Sequence, residues 1–239
     1  MNSLPFLFVD SVAHSLSTNS ITEFSFLPSH LWNSVGQTHC HKRADYDTDL
    51  HIEDTGMKQR FLKARTFTEV SLEAMKVKNY RYTRILTFIM CIRSARDPKI
   101  TAKDLPFSNI FVHTLKIVNL YSSDKNLAVK NSKVIWQKAV PHLIISMNCP
   151  TEIIIHHLFH NENLRIFEFS YATYDFIYNL VTSYGQGKLQ KWNYFGRDLE
   201  EVCELGFEET EESIYQLYET RYINGTERTL SFRFSTEHV

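Results

Sequence analysis

Glycine is scarce in this chain, with seven residues in 239. There is no GxxxxGK[ST] or GxGxxG run, so the backbone cradles that hold nucleotide phosphates are excluded. There is no GxSxG elbow to expose a nucleophilic serine either. Excess charge of one sign is also absent: 26 basic and 27 acidic side chains leave a net charge of −1. Nucleic-acid binding rests on neutralising phosphates, so the balance gives no reason to expect it. The four cysteines, Cys40, Cys91, Cys149 and Cys203, are too widely spaced for a disulfide-dense scaffold and are read as free thiols. No apolar run approaches the roughly 20 residues that cross a bilayer. Nothing basic precedes the short apolar segment Leu4–Val9, so no secretory leader is expected. The expected compartment is the cytoplasm or nucleus, with no membrane partner.

Apolar residues are plentiful at 43%, with 17 Phe, 12 Tyr and 3 Trp. Such a chain can bury a sizeable core without metal or disulfide staples. Its first 40 residues carry three helix signals. Residues 3–17 read as a helix capped by Ser3, with Pro5 in the first turn and Phe8, Val12 and Leu16 on one apolar face, Val9 and Ala13 beside them. Asp10 and His14 lie away from that face. Ser20-Ile21-Thr22-Glu23 has capping-box spacing, followed by Phe24 and Leu27. Pro28 ends that segment, and Ser29 can cap a third helix with Leu31, Trp32 and Val35. A polar stretch, HCHKRADYDTD (39–49), follows.

Beyond it, β-like runs recur: RILTFIM (84–90), LKIVNL (115–120), LIISM (143–147), LRIFEF (164–169), LQKWNYF (189–195) and LSFRF (230–234). Helix patterns lie between them. One starts at Asp124 and carries Leu127, Val134, Ile135 and Trp136; another starts at Pro150 with Ile153, Ile154 and Leu158; a third is capped by Thr173 and stopped by Gly185. The leading leucines, Leu86, Leu115, Leu143, Leu164, Leu189 and Leu230, are separated by 29, 28, 21, 25 and 41 residues. Four of the five gaps fall near the 20–29-residue period of leucine-rich repeats, in which each unit is a strand plus a helix. The expected fold class is therefore α/β, a helical head followed by an irregular stack of β-α units with a parallel sheet. A compact α/β sheet fits the same alternation.

The clusters of reactive side chains do not assemble into a catalytic set. His39-Cys40-His41, with His30 and His51 nearby, offers no spaced ligand pairs for zinc and reads as solvated residues at a helix end. His156 and His160 share a helical face, but the position after His156 is His157, where a zinc protease needs glutamate. A structural or surface role follows, with His157 able to face the core. The acidic run EETEE (208–212) reads as a solvated helix start or as a contact for a basic partner. Trp192 and Tyr194 share one face of a predicted strand, either as core or as an anchor for a protein partner. No metal, cofactor or catalytic residue is expected.

Leu4-Pro5, then Val9, Val12 and Leu16, then Ile21, Phe24 and Leu27, then Leu31-Trp32 resemble a divergent F-box, with LPFLF in place of the usual LPxE start. The resemblance covers about a fifth of the chain. The remainder, through LRIFEF and LQKWNYF, is similar to the β-α repeat regions that follow F-boxes in nematode-expanded F-box-like families. The resemblance implies a head over 1–45 and a leucine-rich-repeat-like domain over 46–239. It further implies a non-catalytic substrate receptor of an SCF-type cullin ubiquitin ligase, with the SCF adaptor and an unknown protein target as partners. Leu4, Pro5, Val9, Val12 and Trp32 are the candidate adaptor contacts, and Trp192 and Tyr194 the candidate target contacts. The alternatives are a repeat-type interaction module with no ubiquitin link, and a head that merely caps the end of the stack.

Overall fold

A computed structural model of the chain describes residues 5–76, 80–94, 105, 110–122, 129–146, 149–170, 178, 180–182, 184, 208–211, 214–223 and 226–235. Three helices come first: α1 (Phe6–Ser15), α2 (Thr18–Phe24) and α3 (His30–Lys42). Pro5 stands at the N-cap of α1, where its missing N–H costs nothing. The α2 cap is Ser17, whose Oγ accepts the Ser20 N–H at 3.1 Å. The capping box expected at Ser20–Glu23 is thus displaced by three residues, because Ser20 already lies within the helix. Val9, Ala13, Ile21, Phe24 and Val35 form the core of the helical group, and Val12, Leu16, Leu31 and Trp32 pack against it.

The strands are β1 (Ala44–Glu53), β2 (Gly56–Lys63), β3 (Glu69–Val70), β4 (Thr83–Ser94), β5 (Phe111–Ser122), β6 (His142–Ser146), β7 (Ile166–Ser170), β8 (Glu208–Glu211), β9 (Ile214–Ile223) and β10 (Thr226–Ser235). Three further helices are α4 (Leu72–Lys76), α5 (Lys133–Trp136) and α6 (Thr151–Phe159). The strands hydrogen-bond in the order β3-β2-β1-β4-β5-β6-β7-β10-β9-β8. The chain is mixed α/β. By Cα proximity it divides into two compact units: Met1–Asp47 with Phe61–Ile85 and Asn109–Phe111, and Thr48–Arg60 with Leu86–Ser108 and Val112–Val239. The first unit therefore takes in more than the expected head of residues 1–45.

In the second unit β5, β6, β7 and β10 run parallel. Helices α5 and α6 lie in sequence between the first three, as a parallel crossover requires. Leu115 pairs in register with Leu143, Leu143 with Phe167, and Phe167 with Phe232. All four are buried. Burying one such side chain contributes roughly 1.5–3 kcal/mol, so this row is a principal source of the unit's stability. Parallel pairing does not continue to the ends. β8, β9 and β10 are antiparallel, as are β2 and β3, which corrects the expectation of a uniformly parallel stack. The acidic run predicted as a helix start forms edge strand β8 instead. Charged residues are a common device at a sheet edge, where they discourage further pairing. Leu164 precedes β7 rather than leading it, and Leu189 lies outside the described residues.

Helix α6 begins after Pro150 as predicted, and it buries Ile153, Ile154, His157 and Leu158. His157 is a satisfied core histidine. Its Nε2 lies 2.6 Å from the Trp136 carbonyl, so Nε2 carries the proton, and Nδ1 accepts from Asn161 Nδ2 at 3.0 Å.

In the first unit Gly36 of α3 meets the end of α2. A Cβ there would stand 2.7 Å from both Cα and N of Ser25. Backbone cannot yield as a flexible side chain can, so Gly36→Ala should cost about 1–3 kcal/mol through overpacking. Urea denaturation of the variant checks this, and an unchanged midpoint would contradict the close packing of α2 on α3.

Candidate functional site

The first unit is organised around two half-buried carboxylates. Arg84 sends Nε to Asp45 Oδ1 and Nη2 to Asp45 Oδ2, both at 2.9 Å. Its Nη1 donates to the carbonyls of His14 at 2.9 Å and Leu16 at 2.7 Å. Arg43 adds a bond from Nε to Asp45 Oδ1 at 3.2 Å and donates Nη2 to the same Leu16 carbonyl. These are the last carbonyls of α1, which have no partner within the helix and carry its negative dipole end. Two guanidiniums thus share one carboxylate and cap one helix.

Asp10, on α1, accepts from His39 Nε2 at 3.0 Å and from Arg81 Nη2 and Nε at 2.9 and 3.2 Å. Burial alone would raise the Asp10 pKa, but the bonds from His39 and Arg81 outweigh it and hold the carboxyl below its ordinary value. His39 is therefore not a solvated residue at a helix end. It is fully buried, and Asp10 compensates for its loss of water. His14 stands edge-on to the rings of His39 and Phe111, with centroids 5.8 Å away in each case. Burial, helped by the positive fields of His39 and Arg43, pushes its pKa down to about 4. Among the described residues, no group of three or more His, Cys, Asp or Glu side chains is arranged to hold a metal ion.

The candidate adaptor contacts are distributed unevenly. Leu4 lies outside the described residues. Pro5 is exposed, and Val12 and Trp32 are half-buried. Trp32 leans edge-on against Phe24 with ring centroids 4.8 Å apart. Val9 is fully buried in the helical core, so it is corrected from a contact to a packing residue. Of the expected apolar face of α1, Val9 and Ala13 are buried and Val12 and Leu16 pack against the same core, while Phe8 turns outward. Phe6, Leu7 and Phe8 face solvent, Leu7 with 72% of its surface exposed. Phe26 and Leu27, just past α2, are exposed as well.

In the second unit the parallel strands present a different surface. The row opposite the buried leucines and phenylalanines is Lys116, Ile144, Glu168 and Arg233, all half-buried. On the same face His142 Nε2 lies 3.2 Å from Glu168 Oε2, and His142 Nδ1 lies 3.4 Å from Thr114 Oγ1. The hydrogen bond from His142 holds the Glu168 pKa low against burial, with the fields of His142, Arg233 and Lys116 adding to it. Parallel strands usually bury both faces and read as near-continuous apolar runs. Here alternation leaves one face mixed, with Lys116, His142, Glu168 and Arg233 set around the half-buried Ile144. Trp192 and Tyr194 lie outside the described residues.

No protein-family model matches the chain, and comparison with curated proteins and with solved structures finds no match.

Two outcomes follow from the first unit. Arg84→Leu leaves the α1 carbonyls short of donors and removes the two-pronged contact from Asp45, which should cost about 3–5 kcal/mol. A loss under 1 kcal/mol in chemical denaturation would show that the pair is not a buried anchor. His14 titrates near 6.5 in the unfolded chain and near 4 in the fold. Between those values the unfolded chain binds more protons, so stability is lost as pH falls from 6.5 towards 4. Urea midpoints at pH 7.5 and 5 should differ, and His14→Gln should shrink the difference.

Proposed function

We propose that the chain is a non-catalytic substrate receptor of an SCF-type cullin ubiquitin ligase. The observation that carries this reading is the outward row Phe6, Leu7 and Phe8 on the first of three short helices that already enclose a core of their own. Large apolar side chains left in water at one helix end are an unfavourable arrangement for an isolated protein and a useful one for docking. The adaptor contacts are then Pro5, Phe6, Leu7 and Phe8, with Val12 and Trp32 supporting them from the half-buried side. The mixed face around Lys116, His142, Glu168 and Arg233 is the surface offered to a target, on a repeat-like stack of β-α units. Such a receptor performs no bond chemistry. It holds a target lysine near the charged enzyme and raises effective concentration.

The inward turn of Val9 favours a second reading, in which the helices chiefly cover their own unit and the chain is an interaction module without a ligase. Capture of the purified SCF adaptor by the full chain separates the two. Wild type should retain it, and Leu7→Asp should reduce capture at least tenfold with an unchanged circular dichroism spectrum, since Leu7 supports no core. Failure of folded wild type to capture the adaptor would overturn the ligase reading.

A further inference from the structure

His156 lies in the last turn of α6, and His160 caps the end of that helix four residues on. Their ring centroids are 6.0 Å apart. An imidazole nitrogen holds a transition-metal ion at about 2.0–2.1 Å along its in-plane lone pair. Two imidazoles on one ion therefore have ring centres roughly 5–6.5 Å apart. The pair falls within that range with no movement of the helix.

The two rings differ in freedom. His156 is half-buried and meets the Trp136 indole edge-on, with ring centroids 5.3 Å apart. It also donates a hydrogen bond to the backbone carbonyl of Gln137, just past α5. That bond commits one ring nitrogen as the N–H and leaves the other with its lone pair. A carbonyl behind the ring is a common outer partner of a metal-binding histidine, because it fixes the tautomer and the ring orientation. Burial, against that bond, holds the His156 pKa below its ordinary value, so the ring is neutral at pH 7. His160 is exposed and can turn to complete a pair whose other half is fixed. His157 takes no part, since its ring nitrogens are engaged by the Trp136 carbonyl and Asn161. The set is thus two ligands, in keeping with the lack of any larger group among the described residues.

The surroundings favour a cation. Both rings stand at the C-terminal end of a helix, where the backbone dipole is negative. Glu152, one turn before His156, adds a negative field, and Lys133, 3.7 Å from Glu152, offsets part of it. We propose that His156 and His160 form a two-imidazole site for a single transition-metal ion, Zn²⁺ or Ni²⁺, with water in the remaining positions. Imidazole suits these ions, whereas Mg²⁺ and Ca²⁺ take oxygen ligands. The site stands in the second unit and does not depend on adaptor docking by α1.

Carbethoxylation of the full chain by diethyl pyrocarbonate, read by peptide mapping, tests the proposal. Millimolar Ni²⁺ or Zn²⁺ should slow modification of His156 and His160 severalfold and leave His142, in the same tryptic peptide, unchanged. Mg²⁺ at the same concentration should protect neither. In His160→Gln, which alters an exposed side chain, His156 should lose its protection while the urea midpoint stays unchanged. In His156→Gln, His160 should lose its protection likewise, so each variant checks the other against a folding defect. No protection by Ni²⁺ or Zn²⁺, equal protection by Mg²⁺, protection of His142 equal to that of the pair, or protection that persists in either folded variant would each overturn the proposal.

Discussion

Asp45 is the constraint on which the first unit depends. One carboxylate at the start of β1 receives a two-pronged contact from Arg84 and a single bond from Arg43, and both guanidiniums continue to the last carbonyls of α1. None of the three could sit there alone. A buried carboxylate without cations would take up a proton, buried guanidiniums without it would be expelled to water, and the helix end would keep unpaired carbonyls. Together they satisfy most of one another's polar groups and hold the end of α1, with Arg43 Nη1 the buried atom left without a partner among the described residues. The Asp10, His39 and Arg81 cluster repeats the principle along the same helix, and it explains why an imidazole can be fully enclosed among aromatic rings.

Much of the second unit was legible in the residues. The runs at 84–90, 115–120, 143–147, 164–169 and 230–234 all fall on or beside strands, and Pro150 marks a helix start. These are strongly apolar segments whose period follows directly from burial. Of the missed strands β1, β2 and β9, the first two are polar, while β9 interleaves Ile, Leu and Tyr with Gln, Glu, Thr and Arg. Tyr46, Thr48, Leu50 and Ile52 alternate inward along β1, but Asp and His fill the other face, and the run read as a polar connection. β8 was masked by its glutamates, which suit an edge strand as well as a helix start. The α1 face was legible in Val9, Val12, Ala13 and Leu16, and Phe8 is the member of it that turned outward. The ion clusters were invisible because Asp45 and Arg84 are 39 residues apart. The one available signal was a lone arginine at the head of an apolar run, which needs a partner somewhere.

The two units offer surfaces of different chemistry. The helical unit exposes apolar side chains on α1. The strand unit offers a mixed row in which His142 pairs with Glu168, and Lys116, Ile144 and Arg233 lie alongside. Side chains locked by such bonds lose little freedom when something binds to them, which favours selectivity over promiscuity. The row rests directly on the buried leucine and phenylalanine layer, so its spacing is fixed by packing and not by loops.

The hydrogen-bonded series of strands ends in β3, two residues long, at one side and in the glutamate-bearing β8 at the other. Among the described residues such termini are poor templates for a second copy, since one is too brief to nucleate a ladder and the glutamates of the other repel their own counterparts. Two copies meeting at these termini would then gain little by pairing edge to edge.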